Sequence, residues 1–179
     1  MTEVAHDLLA GLAGTWQLDP KRTTVEFHTT AMWGRVKVVG TVDAVQGGGT
    51  IGDGGAVSGE LVMDAASIDT QINRRDRHLR GKGFLDVSSY PTLTFTPSEA
   101  ASLPDGTVVL KGSLQIKDQT RPIEVIVTLT ASSNERITIG GAATIDRRQW
   151  GVSRAPLGAG LVNRVHVTAE FVRRAPART

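Results

Sequence analysis

The tightest constraint on what this chain can become is a two-residue alternation that recurs eight times. Apolar or small residues alternate with others at Val25 and Phe27, at Val36, Val38, Gly40 and Val42, and at Val57, Gly59, Leu61 and Met63. The pattern returns at Leu93 and Phe95, from Val108 through Leu110, Gly112 and Leu114 to Ile116, and from Ile123 through Val125 and Val127 to Leu129. It ends with Ile137, Ile139, Gly141, Ala143 and Ile145, then Val165, Val167, Ala169 and Phe171. Successive side chains of an extended backbone point to opposite faces, so each run is a strand with one face to bury. The joints are short and built of turn formers, as at Pro104-Asp105-Gly106, Lys117-Asp118-Gln119-Thr120 and Ser132-Ser133-Asn134-Glu135. Joints of that length connect antiparallel neighbours. Eight such strands within 179 residues make one all-β domain, which must stack as two sheets or close on itself. Closure also removes the strand edges on which other chains would pair. The expectation is an eight-stranded antiparallel closed barrel, with Gly40, Gly59, Gly112 and Gly141 at the bends of the sheet.

Residues 67–90, between the third and fourth strands, break the alternation. Asp69 or Thr70 is placed to cap a helix, Ile72 and Leu79 share a face seven residues apart, and Gly81 and Gly83 supply a stop. A short helix over 70–80 is predicted, followed by Phe84, Leu85, Val87 and Tyr90 lying across one barrel mouth. At the N-terminus Val4, Leu8 and Leu12 recur at fourfold spacing, so 1–14 reads as an extension able to form a second short helix. The barrel is then assigned to 15–173 and a basic tail to 174–179. Arg173, Arg174 and Arg178 near the C-terminus are expected to be solvated.

Several classes of function find no support. The 20 Lys and Arg exceed the 18 Asp and Glu by two, and no basic face interleaved with aromatics emerges, so a nucleic-acid partner is not expected. No cysteine is present, which removes disulfides, thiolate catalysis and Cys-ligated metals. The first fourteen residues carry Glu3, His6 and Asp7 but no basic stretch, unlike a signal peptide, and no apolar run is long enough to span a membrane as a helix. A cytoplasmic location is expected. Gly47-Gly48-Gly49-Thr50-Ile51-Gly52 formally matches a dinucleotide-binding loop. Such a loop must open a helix, however, and this one leads into another strand, so with Gly54 and Gly55 it reads as a hairpin turn. His28 and His166 face away from their strands' apolar sets and become outer-surface neighbours if the first and last strands meet. Two ligands fall short of a metal site, so no metal or cofactor is expected. Neither a nucleophile elbow nor a metalloprotease helix is present, and no catalytic residue is assigned.

The 29 residues from Ser67, SIDTQINRRDRHLRGKGFLDVSSYPTLTF, carry a Ser-Ile-x-Thr opening, Arg-Asp-x-His-Leu, a Phe-Leu-Asp-Val box and Tyr-Pro before a strand. In this order they resemble the signature of the YceI-like family. The resemblance extends to Trp16-Gln17-Leu18-Asp19-Pro20, to Gly112-Ser113-Leu114-Gln115-Ile116-Lys117 with Arg121-Pro122-Ile123, and to Ile145-Asp146-Arg147-Arg148-Gln149-Trp150-Gly151. The chain departs from the family pattern at Arg22-Thr23 in place of His-Ser, Leu85 and Trp150 in place of Phe, and Asp118 in place of Gly. The resemblance implies a lipocalin-like barrel whose lumen holds a polyisoprenoid or related lipid, and it brings in an expected homodimer.

On this reading the protein binds, sequesters or transports a long-chain apolar lipid, such as a polyisoprenoid or prenyl quinone, without chemistry. The inward set is aliphatic with small residues at Gly59, Gly112, Gly141, Ala143 and Ala169, so filling looks incomplete, which suits a slim flexible chain. The lumen is assigned to Phe27, Val38, Leu61, Met63, Phe84 and Phe95, with Leu114, Ile116, Val125, Val127, Ile145, Trp150 and Val167. Arg74, Arg75, Arg77, Arg80 and Lys82 stand beside the mouth. They read foremost as a solvated helix face paired with Asp76 and Asp86, and otherwise as a clamp for an anionic head, while Arg75, Asp76 and His78, within the family motif, could equally hold the helix against the rim. Arg75, His78, Lys82 and Arg147 are the head-group candidates. The competing reading is a barrel with a filled core that acts through its outer surface as a stress-linked interaction module.

Overall fold

The computed structural model describes residues 9–53 and 56–175. Its strands are β1 (Gly14–Leu18), β2 (Thr24–Ala31), β3 (Val36–Ile51), β4 (Val57–Asp69), β5 (Thr92–Ser102), β6 (Val108–Ile116), β7 (Gln119–Ser132), β8 (Arg136–Asp146) and β9 (Val162–Arg173). From β2 to β9 each strand pairs antiparallel with the next, and β2 pairs with β9 to close the ring. β1 does not add a ninth position. It lies between the same two strands as β2 but further along them, pairing with Gly48–Ile51 of β3 and with 171–173 of β9, whereas β2 takes 36–42 and 164–168. β1 and β2 are therefore two halves of one barrel strand. The interruption falls at Asp19-Pro20, where proline has no N–H for the ladder, the Asp19 carboxylate accepts from Lys21 N and the Thr23 hydroxyl donates to Asp19 O at 2.8 Å. The barrel is closed, antiparallel and eight-stranded, as the alternation predicts.

The glycine-rich stretch departs from expectation. Gly47–Gly49 is not a turn but lies inside β3, opposite Gly59–Leu61 of β4, and the turn falls at 52–56, where Gly52 N donates to Ala56 O at 2.8 Å. The two backbones meet so closely that a Cβ on Gly49 would sit 2.1 Å from Ser58 O, and one on Gly59 would sit 2.2 Å from Gly48 O. Only glycine permits that approach. Gly112 likewise opens no space in the lumen: the Phe95 ring lies over it, and a Cβ there would meet Thr96 O at 2.4 Å.

The single helix that follows β4, α1 (Asn73–Arg80), begins three residues later than predicted. Its N-cap position is Ile72, which makes no side-chain cap, because both proposed caps are engaged elsewhere. Asp69 accepts from Gln71 N at 2.7 Å, while the Thr70 N–H and hydroxyl both donate to the buried Asp76 carboxylate, at 2.9 and 2.5 Å. Arg75 adds Nε to Thr70 Oγ1 and Nη2 to Thr70 O, and Arg80 donates to Ala66 O and Ile68 O. The Arg-Asp pair at 75–76 thus fastens α1 to the end of β4 rather than balancing surface charge. Leu79 packs on the core and Ile72 is half exposed at the rim, and both face the barrel interior, so the two share a face as the spacing predicts.

At the other barrel end Leu9 is buried within a helical turn, and Trp16 Nε1 donates to Leu12 O at 2.8 Å. Val4, Leu8 and Arg178 lie outside the described residues. Arg173 is not a solvated tail residue: its guanidinium stacks on Trp16, 4.3 Å from the ring centroid, and donates to Ala13 O and Asn134 O. His28 and His166 meet edge to face with ring centroids 5.2 Å apart, and neither lines the interior.

Candidate functional site

The barrel interior holds a cavity of about 1090 Å³, above the ~300–1,000 Å³ usual for pockets that take drug-sized ligands. Its walls are the inward faces of the strands, with Val125 of β7, Gly141 and Ala143 of β8 and Val167 of β9 among them. Leu9, Leu12 and Trp16 line the end opposite α1. Sequence reasoning assigned no interior role to these three; the signal for Trp16 was its place in the opening motif.

Twelve of the thirteen residues assigned to the lumen line this cavity: Phe27, Val38, Leu61, Met63, Phe84, Phe95, Leu114, Ile116, Val125, Val127, Ile145 and Val167. Trp150 does not. It is 2% exposed, donates its indole N–H to Leu114 O at 2.8 Å and packs within the core cluster. An indole that must satisfy a buried N–H finds its acceptor in the β6 backbone, not in the lumen. Leu85 joins Phe84 in the wall, while Val87 and Tyr90 are absent from it.

At the α1 end the four head-group candidates separate. Lys82 is exposed and outside the cavity lining. Arg75 reaches the lining but commits two donors to Thr70. His78 lines the mouth with its ring 5.1 Å from that of Phe84, and the Arg147 guanidinium lies over the same Phe84 ring at 5.4 Å. Arg147 is buried. Its Nε donates to Gly160 O at 2.9 Å and Nη1 to Val152 O at 2.6 Å, but among the described residues Nη2 has no partner. Neighbouring Asp146 is drawn to the exposed Arg148 at 2.6 Å. Burial pushes the Arg147 pKa below its ordinary value, with the Asp146 charge acting the other way, and an arginine remains cationic at neutral pH. The site is therefore an apolar tube with a buried cation, Arg147, among the residues of its mouth.

The sequence model of the YceI-like domain matches residues 16–172. The chain belongs to the YceI-like family. Among curated relatives, a UPF0312 protein of Yersinia pestis (strain Pestoides F) is 37% identical over 75 residues, 42% of this chain and 38% of that protein. A UPF0312 protein of Yersinia enterocolitica is 36% identical over the same length. The match thus spans well under half of these relatives. Among solved structures, a polyisoprenoid binding domain from Saccharophagus degradans superposes with a TM-score of 0.74 at 15% identity, covering 89% of this chain and 98% of that one. BcnA of Burkholderia cenocepacia gives 0.68 at 21% identity over 88% and 99%. At these identities the likeness is one of fold, and it agrees with the closed, lipocalin-like barrel described above.

Proposed function

We propose that this YceI-like protein binds one long-chain apolar lipid of the polyisoprenoid type and carries it without making or breaking a bond, the tail in the lumen and an oxygen-bearing head against Arg147. The observation that carries the reading is the unfilled apolar tube with the buried Arg147 guanidinium among the residues at its mouth. Apolar area gains by leaving water, roughly 0.8 kcal/mol per buried methylene, while a cation in an apolar mouth favours an oxygen-bearing, and above all an anionic, head. The fold shared with a polyisoprenoid binding domain supports the same class of ligand. A filled core acting only through its outer surface is disfavoured by a cavity of about 1090 Å³.

Protein purified from a bacterial host without detergent should yield, on solvent extraction and mass spectrometry, a long-chain isoprenoid or acyl species. Arg147→Met should weaken a prenyl phosphate at least tenfold more than a prenyl alcohol of equal length, since only the phosphate loses a charge-assisted bond. Empty extracts, together with prenyl lipids that leave the melting temperature unchanged, would overturn the carrier reading. Equal losses for the two ligands would remove the head group from Arg147.

A further inference from the structure

The α1 end of the barrel has properties that lumen binding does not require. Four connections meet there, residues 32–35, 70–91, 117–118 and 147–161. They carry ten Lys and Arg against three Asp, a formal net charge of +7 in a chain whose total is +2. The connections at the opposite end, residues 52–56, 103–107 and 133–135, contain three carboxylates and neither Lys nor Arg. Among the described residues, Arg35, Arg77 and Arg154 are exposed and have no side-chain hydrogen bond or ion pair. The +7 end thus presents free charge to solvent.

Within this cationic ring stands an apolar lip. Trp33 is 77% exposed, Leu157 76%, and Met32 and Ile72 50% each. Met32, Ile72 and Leu157 also line the cavity, so the lip is continuous with the lumen. The β2–β3 tip is tied to the β8–β9 connection by Met32 N to Leu157 O at 3.0 Å and Trp33 N to Gly158 O at 3.2 Å. The Trp33 ring rests on Gly158, where any Cβ would come within 2.7 Å of it. Met32, Trp33 and Leu157 all hold positive φ, at 51°, 56° and 52°, a region that large side chains rarely occupy and that persists where surrounding structure enforces it. Two connections therefore hold three bulky apolar side chains out into solvent in strained backbone.

We propose that this mouth docks onto the surface of an anionic lipid bilayer, with Trp33 and Leu157 entering the interfacial layer and the surrounding arginines meeting lipid phosphates. The proposal rests on the lipid-binding reading for its purpose, since it names the surface from which the ligand enters the lumen, but its geometry stands apart from that reading. An indole at the boundary between apolar and charged phases and a cationic fringe around it are the combination that interfacial binding needs. A second copy is a poorer occupant, because two mouths face to face would bring like charge against like.

The experiment uses the whole protein and vesicles of phosphatidylcholine, with or without phosphatidylglycerol. Of the three tryptophans, Trp16 and Trp150 are 4% and 2% exposed, so with the lumen, which Trp16 lines, pre-filled by a soluble short-chain prenyl phosphate, quenching of emission by brominated lipid reports Trp33. Binding to the phosphatidylglycerol vesicles with quenching is expected, weakened by salt. Arg35→Gln and Arg77→Gln should each lower vesicle affinity about fivefold, and Trp33→Ser should abolish the quenching. None of these three residues lines the cavity, so the melting temperature and the binding of a soluble short-chain prenyl phosphate should stay as in the parent. Equal affinity for neutral and anionic vesicles, emission unaffected by brominated lipid, or Trp33 buried in a lipid-free homodimer would overturn the proposal, as would tighter binding of a single-stranded oligonucleotide. A protein that takes the soluble ligand yet ignores vesicles loses the docking alone, whereas one that docks but binds no prenyl ligand keeps the docking and loses the carrier reading.

Discussion

Ala143→Phe places a ring in the middle of the tube and separates lumen binding from every surface explanation. Ala143 lines the cavity on β8, opposite Val165 of β9, and the substitution adds six ring carbons to a space of about 1090 Å³. In the empty protein the ring fills void rather than overpacking a full core. Burying it should contribute about 2 kcal/mol, which raises the melting temperature by roughly 4–8 °C for a chain of this size. In the loaded protein the same ring competes with the ligand. If it forces six ligand carbons out of the lumen, the loss is about 5 kcal/mol at ~0.8 kcal/mol each, and if the chain slides past, about half of that. Affinity for a prenyl ligand should therefore fall between roughly 70-fold and several thousand-fold. Calorimetric melting of the delipidated protein and titration with a prenyl phosphate read the two effects separately. The signature is opposite signs: a more stable empty protein that binds less. A variant that melts higher and binds as the parent does would refute the lumen as the site. One that melts lower would show that the space around Ala143 is not free.

Other residues carry predictions of a different kind. Trp150→Ala should cost about 3–5 kcal/mol in urea unfolding, because a large buried side chain is removed from the core cluster, without changing the preference between prenyl phosphate and prenyl alcohol. Asp76→Ala leaves the Thr70 N–H and hydroxyl without their acceptor and should lower stability by about 3 kcal/mol, seen as a shifted urea midpoint with unchanged slope. The side-chain hydrogen bond from Arg148, then its backbone N–H and its charge, hold the Asp146 carboxyl below its ordinary 3.8 against the opposing pull of desolvation. A lowered folded-state pKa stabilises above the unfolded value and is lost as the pH falls through the folded one. The melting-temperature difference between the parent and Asp146→Asn should thus be constant near neutrality and vanish on acidification below that value.

The alternation of side chains was enough to determine eight antiparallel strands and their inward face, and the need to cover the strand edges favoured closure over two stacked sheets. A period of two is a property of the extended backbone itself and does not depend on what each strand meets. That is why Val38, Phe95, Val125 and Val167 could be pointed inward from sequence, and why His28 and His166 could be paired on the outside. The 67–95 motif marked the family by the same local logic, but it left Arg75 and Asp76 open between surface charge and holding the helix to the rim, and Thr70, folded back between them, decides for the second. Contacts between segments distant in sequence decided the rest. The Gly47–Gly49 run reads as a turn until the β4 backbone is seen pressed against it. Trp150 reads as lumen until its N–H finds Leu114 O, 36 residues away. The sequence set the basic 74–82 segment beside a mouth, but not the lip of Met32, Trp33 and Leu157 or the summed charge, because these come from four separate connections that only closure of the barrel brings to one end. Period and turn chemistry act within a few residues, whereas close approach, buried hydrogen bonding and the summed field of an end are set by where the closed sheet places each loop.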